Sequence, residues 1–429
     1  MTREAERILL GFLLARLLLA LVTLAEPDGA VLTDSQGYIG LASRLVEQRA
    51  YYVPPNSEPD LLRPPGYPLF LVGIWGLFGR HPFFVTLIQL AISGLTAWLI
   101  VLLGRELNRP GAGLAGAWIY ALSPNVILWS LMLMTEVLAA FLLVATILIT
   151  LRLERKAPRG WPAVTGGLLG LSAYVRPINL TLLPVWSLVT YLSTRRKAGS
   201  RPALQSSLLL LAGGALVALP WVARNQITHG QLTFSTVTQK TWIGFNLASV
   251  LAQAQDTTRD RAVAQLDPDK GLLRLTVEVI QRYPTDFVTG QLLGITRTLL
   301  GTDIGTWGHA FGYPSWVGLG ILSGLFQDGL SQLGEAARDS LADPQAAPRL
   351  ALIGIGVLYS LVLLGLAGTG LLNRRTQPPD GLSLWLMIGS LIVLVLLPGA
   401  AGQARFRVPA EPLLAWFAGL GWTGALGRS

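Results

Sequence analysis

An acidic residue stands at the start of an amphipathic segment near the amino terminus. Residues 33–49 carry apolar side chains at helical spacing, and Asp34 lies at the beginning of the segment. The apolar stripe comprises Tyr38, Leu41, Ala42 and Leu45. Such a helix is typical of a membrane interface. Asp34 has two open interpretations: an N-cap, because its carboxylate accepts backbone N–H bonds, or a general base.

A cation follows at Arg63, directly before Pro64 and Pro65. The prolines keep the backbone extended and delay the next helix. Arg63 is therefore predicted at the water–lipid boundary, before the apolar segment 69–78. It either anchors the chain at the interface by extending toward water or binds a lipid-linked phosphate, which guanidinium suits by its bidentate geometry.

Further charged residues stand beside apolar runs. Glu136 follows Thr135 at the start of a run that ends near Leu151. Ionisable groups at membrane depth are costly and usually functional, yet the helix dipole also favours an acid in a first turn. The arginines at the predicted outer ends of apolar segments are Arg63, Arg176, Arg224, Arg405 and Arg407. Cations at one level indicate an anion pocket at the membrane surface, with interface anchoring as the alternative.

The elements that position these residues are predicted to be membrane helices. Of 429 residues, 52% are hydrophobic and 13% are charged, about half the charge of a soluble protein. This excludes soluble, disordered and coiled-coil proteins and predicts an all-α integral membrane bundle of about 10–12 spans. The apolar runs are 8–25, 83–104, 110–123, 135–151, 161–174, 178–193, 205–222, 350–372, 383–399 and 410–427. The first is interpreted as an uncleaved span.

Cysteine is absent and the three histidines are far apart, which excludes disulfides, thiol nucleophiles and a preformed His or Cys metal site. The net charge of +9 comes mostly from clusters between alternate apolar runs, so nucleic-acid binding is not expected. The positive-inside rule makes those clusters cytoplasmic, together with both termini. The long connections 26–82 and 223–349 then lie on the periplasmic or extracellular side of the plasma (inner) membrane.

The second long connection, residues 223–349, contains predicted helical segments of its own. Residues 258–283 are predicted to form an amphipathic helix interrupted at Asp267-Pro268-Asp269. Segments 287–301 and 314–326 are candidates for an extra membrane hairpin.

Several short motifs occur in a fixed order along the chain. They are Asp34-x3-Tyr38-x3-Ala42, Arg63-Pro-Pro-Gly-Tyr67-Pro, Leu122-Ser-Pro124, Thr135-Glu136, Tyr174-Val-Arg176-Pro177, Pro220-Trp221-x2-Arg224-Asn225, Phe234-Ser-Thr236, Trp242-Ile-Gly244-x-Asn246 and Ala404-Arg-Phe-Arg-Val-Pro409. In this order they resemble the GT-C glycosyltransferases, in particular the bacterial branch related to protein O-mannosyltransferases and the lipid A aminoarabinose transferase.

The resemblance implies an inverting transfer of a sugar from a polyprenyl-phosphate donor to an acceptor hydroxyl on the outer side. Asp34 would be the general base, and Arg63 with Arg405 or Arg407 would bind the donor phosphate. The implied substrate-pocket residues are Tyr38, Tyr67, Glu136, Arg176, Arg224 and Asn225. The acceptor would be a lipid, a glycan or a protein.

The chain departs from the family pattern at Ser35, where many relatives carry a second acid after the aspartate. A divalent metal therefore stays an open expectation, with Asp34 and Glu136 as candidate ligands. Residues 1–429 are predicted to form a single GT-C-like domain without a soluble domain after the last span. Acceptor recognition would then come from residues 223–349 or from a partner protein.

Two other functions fit the same charges. A polyprenyl-lipid flippase or transporter would also collect arginines near a lipid phosphate, but it predicts broken helices, charges near the bilayer midplane and an internal repeat. The charges here stand mainly at the ends of runs, with Arg16 as the clearest deep exception. A non-catalytic cell-envelope scaffold would keep the shape but would not need the Asp34 carboxylate.

Overall fold

The computed structural model describes residues 2–52, 60–156, 158–267, 270–312, 346–372 and 381–426. Within these ranges the chain forms helices and no strand, which confirms the all-α fold class. In chain order, the α-helices of the first half are α1 Thr2–Arg16, α2 Val22–Ala25, α3 Thr33–Gln48, α4 Gly66–Phe78, α5 Pro82–Glu106, α6 Pro110–Ala121, α7 Pro124–Leu131, α8 Glu136–Lys156, α9 Trp161–Ala173, α10 Leu182–Ala198 and α11 Ser200–His229.

The remaining α-helices are α12 Val237–Thr241, α13 Ala248–Ala254, α14 Arg259–Ala264, α15 Leu272–Arg282, α16 Pro284–Leu300, α17 Ile304–Ala310, α18 Ala346–Leu372, α19 Gly381–Leu396 and α20 Glu411–Ala425. Short 3-10 turns lie at Leu17–Leu21, Pro27–Ala30, Pro177–Thr181, Gly399–Ala401 and Ala404–Arg407, and a π-helical turn lies at Trp242–Leu247. Many helices begin with a proline in the first turn, where its missing N–H has no helical partner to lose.

Over the described residues, five helical segments are long and apolar enough to cross a membrane, and the first of them runs through α1, the turn Leu17–Leu21 and α2. They are Arg3–Ala25, Pro82–Glu106, Glu136–Lys156, Ser200–His229 and Pro348–Leu372. The pair α6 and α7, bent by 56°, would add a sixth if it forms one span. The other apolar helices that entered the expected 10–12 spans are shorter, from 13 residues in α9 to 17 in α10. The chain is thus a multi-pass membrane protein.

The chain divides into two compact units, and the first comprises Met1–Val237, Leu363–Val393 and Val408–Ser429. Its helices meet through glycines: a Cβ at Gly104 of α5 would collide with the backbone of Gly113 in α6. A Cβ at Gly166 of α9 would likewise collide with the carbonyl of Leu210 in α11. Small residues permit close backbone approach, which is how membrane helices gain packing energy.

The predicted amphipathic segment 33–49 is helix α3. Leu41 and Ala42 of the predicted stripe are fully buried, and Ala42 shares a core cluster with Tyr67 and Leu71 of α4. The helix ends where Arg49 adopts a left-handed backbone with φ 52°. Helix α3 therefore packs its apolar stripe against α4, with Asp34 in its first turn.

The second unit comprises Thr238–Val362 and Leu394–Arg407. Its core contains buried side chains from the π-helical turn, α13, α14 and α15. Helices α14 and α15 confirm a helical segment interrupted near Asp267. The predicted segment 287–301 lies within α16 except at its last residue, whereas 314–326 lies outside the described residues.

Candidate active site

Asp34 lies in the first turn of α3, but it is not the N-cap. The N-cap is Leu32, and its backbone N–H donates to Ser35 Oγ at 3.0 Å. The N-cap interpretation of Asp34 is therefore wrong, because the helix begins one residue before it. The position still favours a carboxylate, since the positive end of the helix dipole lies here.

Asp34 faces Arg63. Its Oδ1 lies 3.7 Å from Arg63 Nη2, and the Asp34 side chain is 47% exposed whereas that of Arg63 is 17% exposed. The guanidinium lies over the ring of Tyr38, 5.2 Å from its centroid. It also covers Gly37, where a Cβ would come within 2.5 Å of Arg63 Cζ. The acid is thus accessible, while the cation is held close against α3.

The loop that carries Arg63 is bonded from several sides. Asp60 Oδ1 accepts backbone N–H bonds from Leu62 at 2.5 Å and from Arg63 at 3.1 Å. The Tyr51 hydroxyl donates to the Arg63 carbonyl at 2.7 Å. The Ser235 hydroxyl donates to the Leu62 carbonyl at 2.5 Å. These bonds fix the backbone of Arg63, so the placement of its cation is built into the fold.

Arg224 and Asn225 were predicted to line the substrate pocket. In the structure they contact the residues that hold the Arg63 loop. Arg224 Nη1 donates to the Asp60 carbonyl at 3.1 Å, and its guanidinium lies 4.7 Å from the ring centroid of Trp221. The Asn225 amide donates to the Thr233 carbonyl at 2.8 Å and is buried. In these positions the two side chains hold the Arg63 loop and the segment that contains Ser235.

A second acid–arginine pair is buried in the protein. Glu136, at the start of α8, lies 2.8 Å from Arg176 Nη1, and the two side chains are 2% and 12% exposed. Arg176 also donates to the Thr135 hydroxyl at 3.2 Å. The backbone N–H of Gly66 donates to the Tyr174 carbonyl at 2.9 Å, which joins the start of α4 to the Arg176 segment. Buried pairs of this kind hold geometry, since removing one partner leaves a charge uncompensated.

Tyr38 connects the two pairs. Burial raises the pKa of its phenol, and the Glu136 and Asp34 carboxylates raise it further, while the guanidiniums of Arg63 and Arg176 oppose them. Its ring packs edge-on against Tyr67, with centroids 5.0 Å apart. The structure therefore brings together six predicted residues, called here the acid–arginine cluster. They are Asp34, Tyr38, Arg63, Tyr67, Glu136 and Arg176.

Arg405 and Arg407 belong to the second unit, in the turn Ala404–Arg407. Arg407 is 1% exposed, and its Nη1 donates to Ser360 Oγ at 2.8 Å and to the Leu299 carbonyl. Arg405 lies over the Phe406 ring, 4.9 Å from its centroid. Arg407 thus contacts protein atoms of its own unit. The phosphate-binding role of both arginines stays a prediction.

The residues that could hold a metal are few. Over the described ranges, no three His, Cys, Asp or Glu side chains form a group that could hold a metal ion. The two candidate carboxylates, Asp34 and Glu136, each have a guanidinium beside them. The chemistry that this arrangement supports directly is proton transfer to a carboxylate next to a fixed cation.

Sequence reasoning missed the residues that position Arg63. Gly37 has a signal: a glycine inside an amphipathic helix costs about 1 kcal/mol relative to alanine and usually has a packing reason. Asp60 also has one, because aspartate commonly bonds to backbone N–H groups shortly after itself in turns. Ser235 belongs to one of the motifs of the family resemblance, but nothing local predicts its contact with Leu62, which spans 173 residues of sequence.

Comparisons with known proteins agree with this architecture. Residues 62–228 match the family model of dolichyl-phosphate-mannose-protein mannosyltransferases, and this range includes Arg63, Glu136, Arg176 and Arg224. No curated protein matches the chain.

Among solved structures, the chain is similar to the Archaeoglobus fulgidus oligosaccharyltransferase in the apo form, with TM-score 0.52, 13% identity, and coverage of 98% of this chain and 50% of that one. It is also similar to the oligosaccharyltransferase AglB from Archaeoglobus fulgidus in complex with an inhibitory peptide and a dolichol-phosphate, with TM-score 0.53, 14% identity and coverage of 98% and 51%. ArnT from Cupriavidus metallidurans bound to undecaprenyl phosphate gives TM-score 0.47 at 14% identity, covering 100% and 78%. The chain spans about half the length of the archaeal structures.

Proposed function

We propose that this chain is a membrane glycosyltransferase of the GT-C type, and that it transfers a sugar from a polyprenyl-phosphate donor to an acceptor hydroxyl with inversion at the anomeric carbon; the family match over residues 62–228 and the similar fold support this. The observation that carries the proposal is the Asp34–Arg63 pair, an accessible carboxylate 3.7 Å from a guanidinium held against α3. The similar fold of an archaeal oligosaccharyltransferase whose structure contains a dolichol-phosphate supports a lipid-phosphate donor.

In the proposed reaction, a carboxylate oxygen of Asp34 accepts the proton of the acceptor hydroxyl. The acceptor oxygen forms a bond to the anomeric carbon from the face opposite the phosphate. The bond between that carbon and the phosphate oxygen breaks, and its electron pair leaves with the polyprenyl phosphate. Arg63 stabilises the charge that develops on the leaving phosphate, which is where a fixed cation lowers the barrier most.

In this proposal, Glu136 and Arg176 form the buried part of the acid–arginine cluster. Their pair is almost completely buried, so a polar acceptor would meet Tyr38 and Asp34 before it met Glu136. We assign Glu136 and Arg176 as positioning residues, which fix Tyr38 and the start of α8. Asp34 is the proposed catalytic base because it is the more exposed acid.

The proposed side of the membrane is inferred from the distribution of cations. The cation clusters at Arg105, at 152–159 and at 195–201 would be cytoplasmic under the positive-inside rule. The acid–arginine cluster would then act on the outer side of the plasma membrane, on a lipid, a glycan or a protein acceptor. Arg405 and Arg407 are proposed as further contacts for the donor phosphate.

The test is sugar transfer by the purified full chain in lipid nanodiscs, with a panel of radiolabelled polyprenyl-phosphate sugars. Asp34→Asn should lose at least about 100-fold in kcat, within the contribution of a general base. Asp28→Asn is the matched control, because Asp28 is an exposed acid in the nearby turn Pro27–Ala30.

Equal turnover by wild type and Asp34→Asn would contradict the base assignment. Translocation of the donor lipid without sugar transfer would favour the flippase. A chain that supports cell-envelope assembly equally well with and without the Asp34 carboxylate would favour the scaffold.

A further inference from the structure

The second unit contains a cavity of about 480 Å³. Its walls come from α13, from the turn between α13 and α14, from the start of α14 and from α16. The volume falls in the range of about 300–1,000 Å³ that is typical of small-molecule sites. The acid–arginine cluster belongs to the other unit, and none of its six residues is among those that line this cavity.

Two arginines line the cavity. Arg259 stands at the start of α14, and Arg297 stands in the last turn of α16. In the part of the chain that the structure describes, neither guanidinium forms an ion pair; Arg259 lies over the ring of Phe245, 4.5 Å from its centroid. Arg297 is partly buried, so its charge has lost hydration without gaining an acidic partner. Both guanidiniums favour an anion, and phosphate or carboxylate suits them by bidentate geometry.

The remaining polar wall adds selectivity. Asp256, Gln253 and Ser249 line the same cavity. The Asp256 carboxylate would repel a bare phosphate, yet it accepts hydrogen bonds well from hydroxyl groups. Gln253 and Ser249 can both donate and accept. A ligand that carries an anionic group at one end and several hydroxyls at the other satisfies all of these groups together.

The cavity wall is fixed by a buried asparagine. Asn246 donates to the Pro398 carbonyl at 2.9 Å, and its side-chain oxygen accepts from Gln291 at 2.8 Å and from the backbone N–H of Ala400 at 3.2 Å. These bonds join the π-helical turn, α16 and the Gly399–Ala401 turn. Gly290 allows α16 to approach Val250 and Ala400 closely. The cavity is therefore preformed, which reduces the entropy lost on binding.

We propose that this cavity binds a phosphorylated polyol or sugar, with the phosphate on Arg259 and Arg297 and the hydroxyls on Asp256 and Gln253. Two sources share this chemistry: a free or glycan-linked sugar phosphate, and the glycerol phosphate head group of an anionic phospholipid. The proposal does not depend on catalysis by Asp34, so binding can also be measured with the Asp34→Asn protein.

The test uses the full chain in nanodiscs of phosphatidylcholine and follows binding of radiolabelled glucose 1-phosphate by equilibrium dialysis. Wild type and Asp34→Asn should both bind it saturably, and unlabelled glucose should compete at least about 10-fold less well, because it lacks the charge-assisted bonds. Arg297→Gln and the more exposed Arg259→Gln should each weaken binding by about 10-fold or more. The matched control is Arg274→Gln, which removes an exposed arginine of α15.

Absence of saturable binding, or equal binding by wild type and both cavity variants, would overturn the proposal. Equal competition by glucose would also overturn it, because the anion would then contribute nothing. Nanodiscs that contain phosphatidylglycerol separate the two sources. Loss of glucose 1-phosphate binding in those nanodiscs supports the site with a lipid head group as occupant, and unchanged binding supports it with a sugar phosphate as occupant.

Discussion

Replacing Gly37 by alanine tests whether the placement of Arg63 matters. Gly37 lies one turn after Asp34 in α3, beneath the Arg63 guanidinium. A Cβ at this position would lie 2.5 Å from Arg63 Cζ and 2.8 Å from each of its Nη atoms. The backbone of Arg63 is bonded to Asp60 and Tyr51, so the guanidinium, and not the loop, must move.

The displacement can be estimated from contact distances. Carbon atoms in contact lie about 3.5–4.0 Å apart, so the guanidinium must retreat by about 1 Å. A shift of that size at a group that binds the reacting centre costs about 10- to 100-fold in rate. Alanine in a helix is itself about 0.5–1 kcal/mol more favourable than glycine. Gly37→Ala should therefore lose activity while its thermal stability stays equal or rises.

Two measurements check this prediction: kcat/KM for the polyprenyl-phosphate sugar, and the thermal unfolding midpoint in detergent. Gly73→Ala in α4 is the matched control, because a Cβ there meets no heavy atom within 4 Å. That control should retain wild-type kcat/KM. Wild-type kcat/KM in Gly37→Ala would refute the idea that a fixed Arg63 assists the reaction, and a lower unfolding midpoint would show that Gly37 acts on folding instead.

Three further predictions concern the acid–arginine cluster. Arg63→Ala should raise the KM for the donor by about 10-fold or more, because the charge-assisted bonds to phosphate are lost. The KM for the acceptor should stay unchanged. Steady-state kinetics with each substrate varied in turn measure both constants, and an unchanged donor KM would contradict this prediction. Glu136→Gln leaves the buried guanidinium of Arg176 uncompensated and should lower the free energy of unfolding by about 3 kcal/mol or more. Glu278→Gln, which breaks exposed ion pairs, should lower it by less than about 1 kcal/mol, and equal losses in denaturant unfolding would argue against a special role for the buried pair. Tyr38 should be less ionised at pH 10.0 than a free tyrosine, which is half ionised there, because burial raises its pKa; a tyrosinate signal as large as that of a free tyrosine at that pH, in the ultraviolet difference spectrum between wild type and Tyr38→Phe, would contradict this.

The helices were largely predictable from apolar periodicity, and the differences have physical causes. The run 135–151 corresponds to α8, which continues to Lys156. Hydropathy marks where the chain leaves lipid, whereas a helix ends where its backbone hydrogen bonds end. Arg155 in this extension bonds to Glu106 at 2.7 Å, which gives the charged turn a reason to stay helical. The run 110–123 ends where Ser123 caps α7 by accepting from the backbone N–H of Val126 at 3.2 Å.

The sequence predicted which residues belong to the site better than it predicted the contacts between them. Residue type and local pattern singled out Asp34, Arg63, Glu136 and Arg176, since each is a charge beside an apolar run. Their pairing depends on long-range packing that a single sequence does not encode at any fixed spacing. The N-cap error at Asp34 is local: Thr33, Asp34 and Ser35 all have cap-forming side chains, and propensity does not say which one lies at the boundary.

The two acid–arginine pairs differ in exposure, and that difference decides which acid can act as a base. Glu136 lies 2.8 Å from its arginine and is 2% exposed, so an acceptor hydroxyl could reach it only by displacing a buried cation. Asp34 is 47% exposed and 3.7 Å from Arg63, a separation beyond a close charge-assisted bond. In the proposed reaction, a donor phosphate competes with Asp34 for Arg63. Because the guanidinium is held against α3, it can stabilise the leaving phosphate from a fixed position. The more exposed Asp34 beside it stays open to the acceptor hydroxyl and can accept its proton.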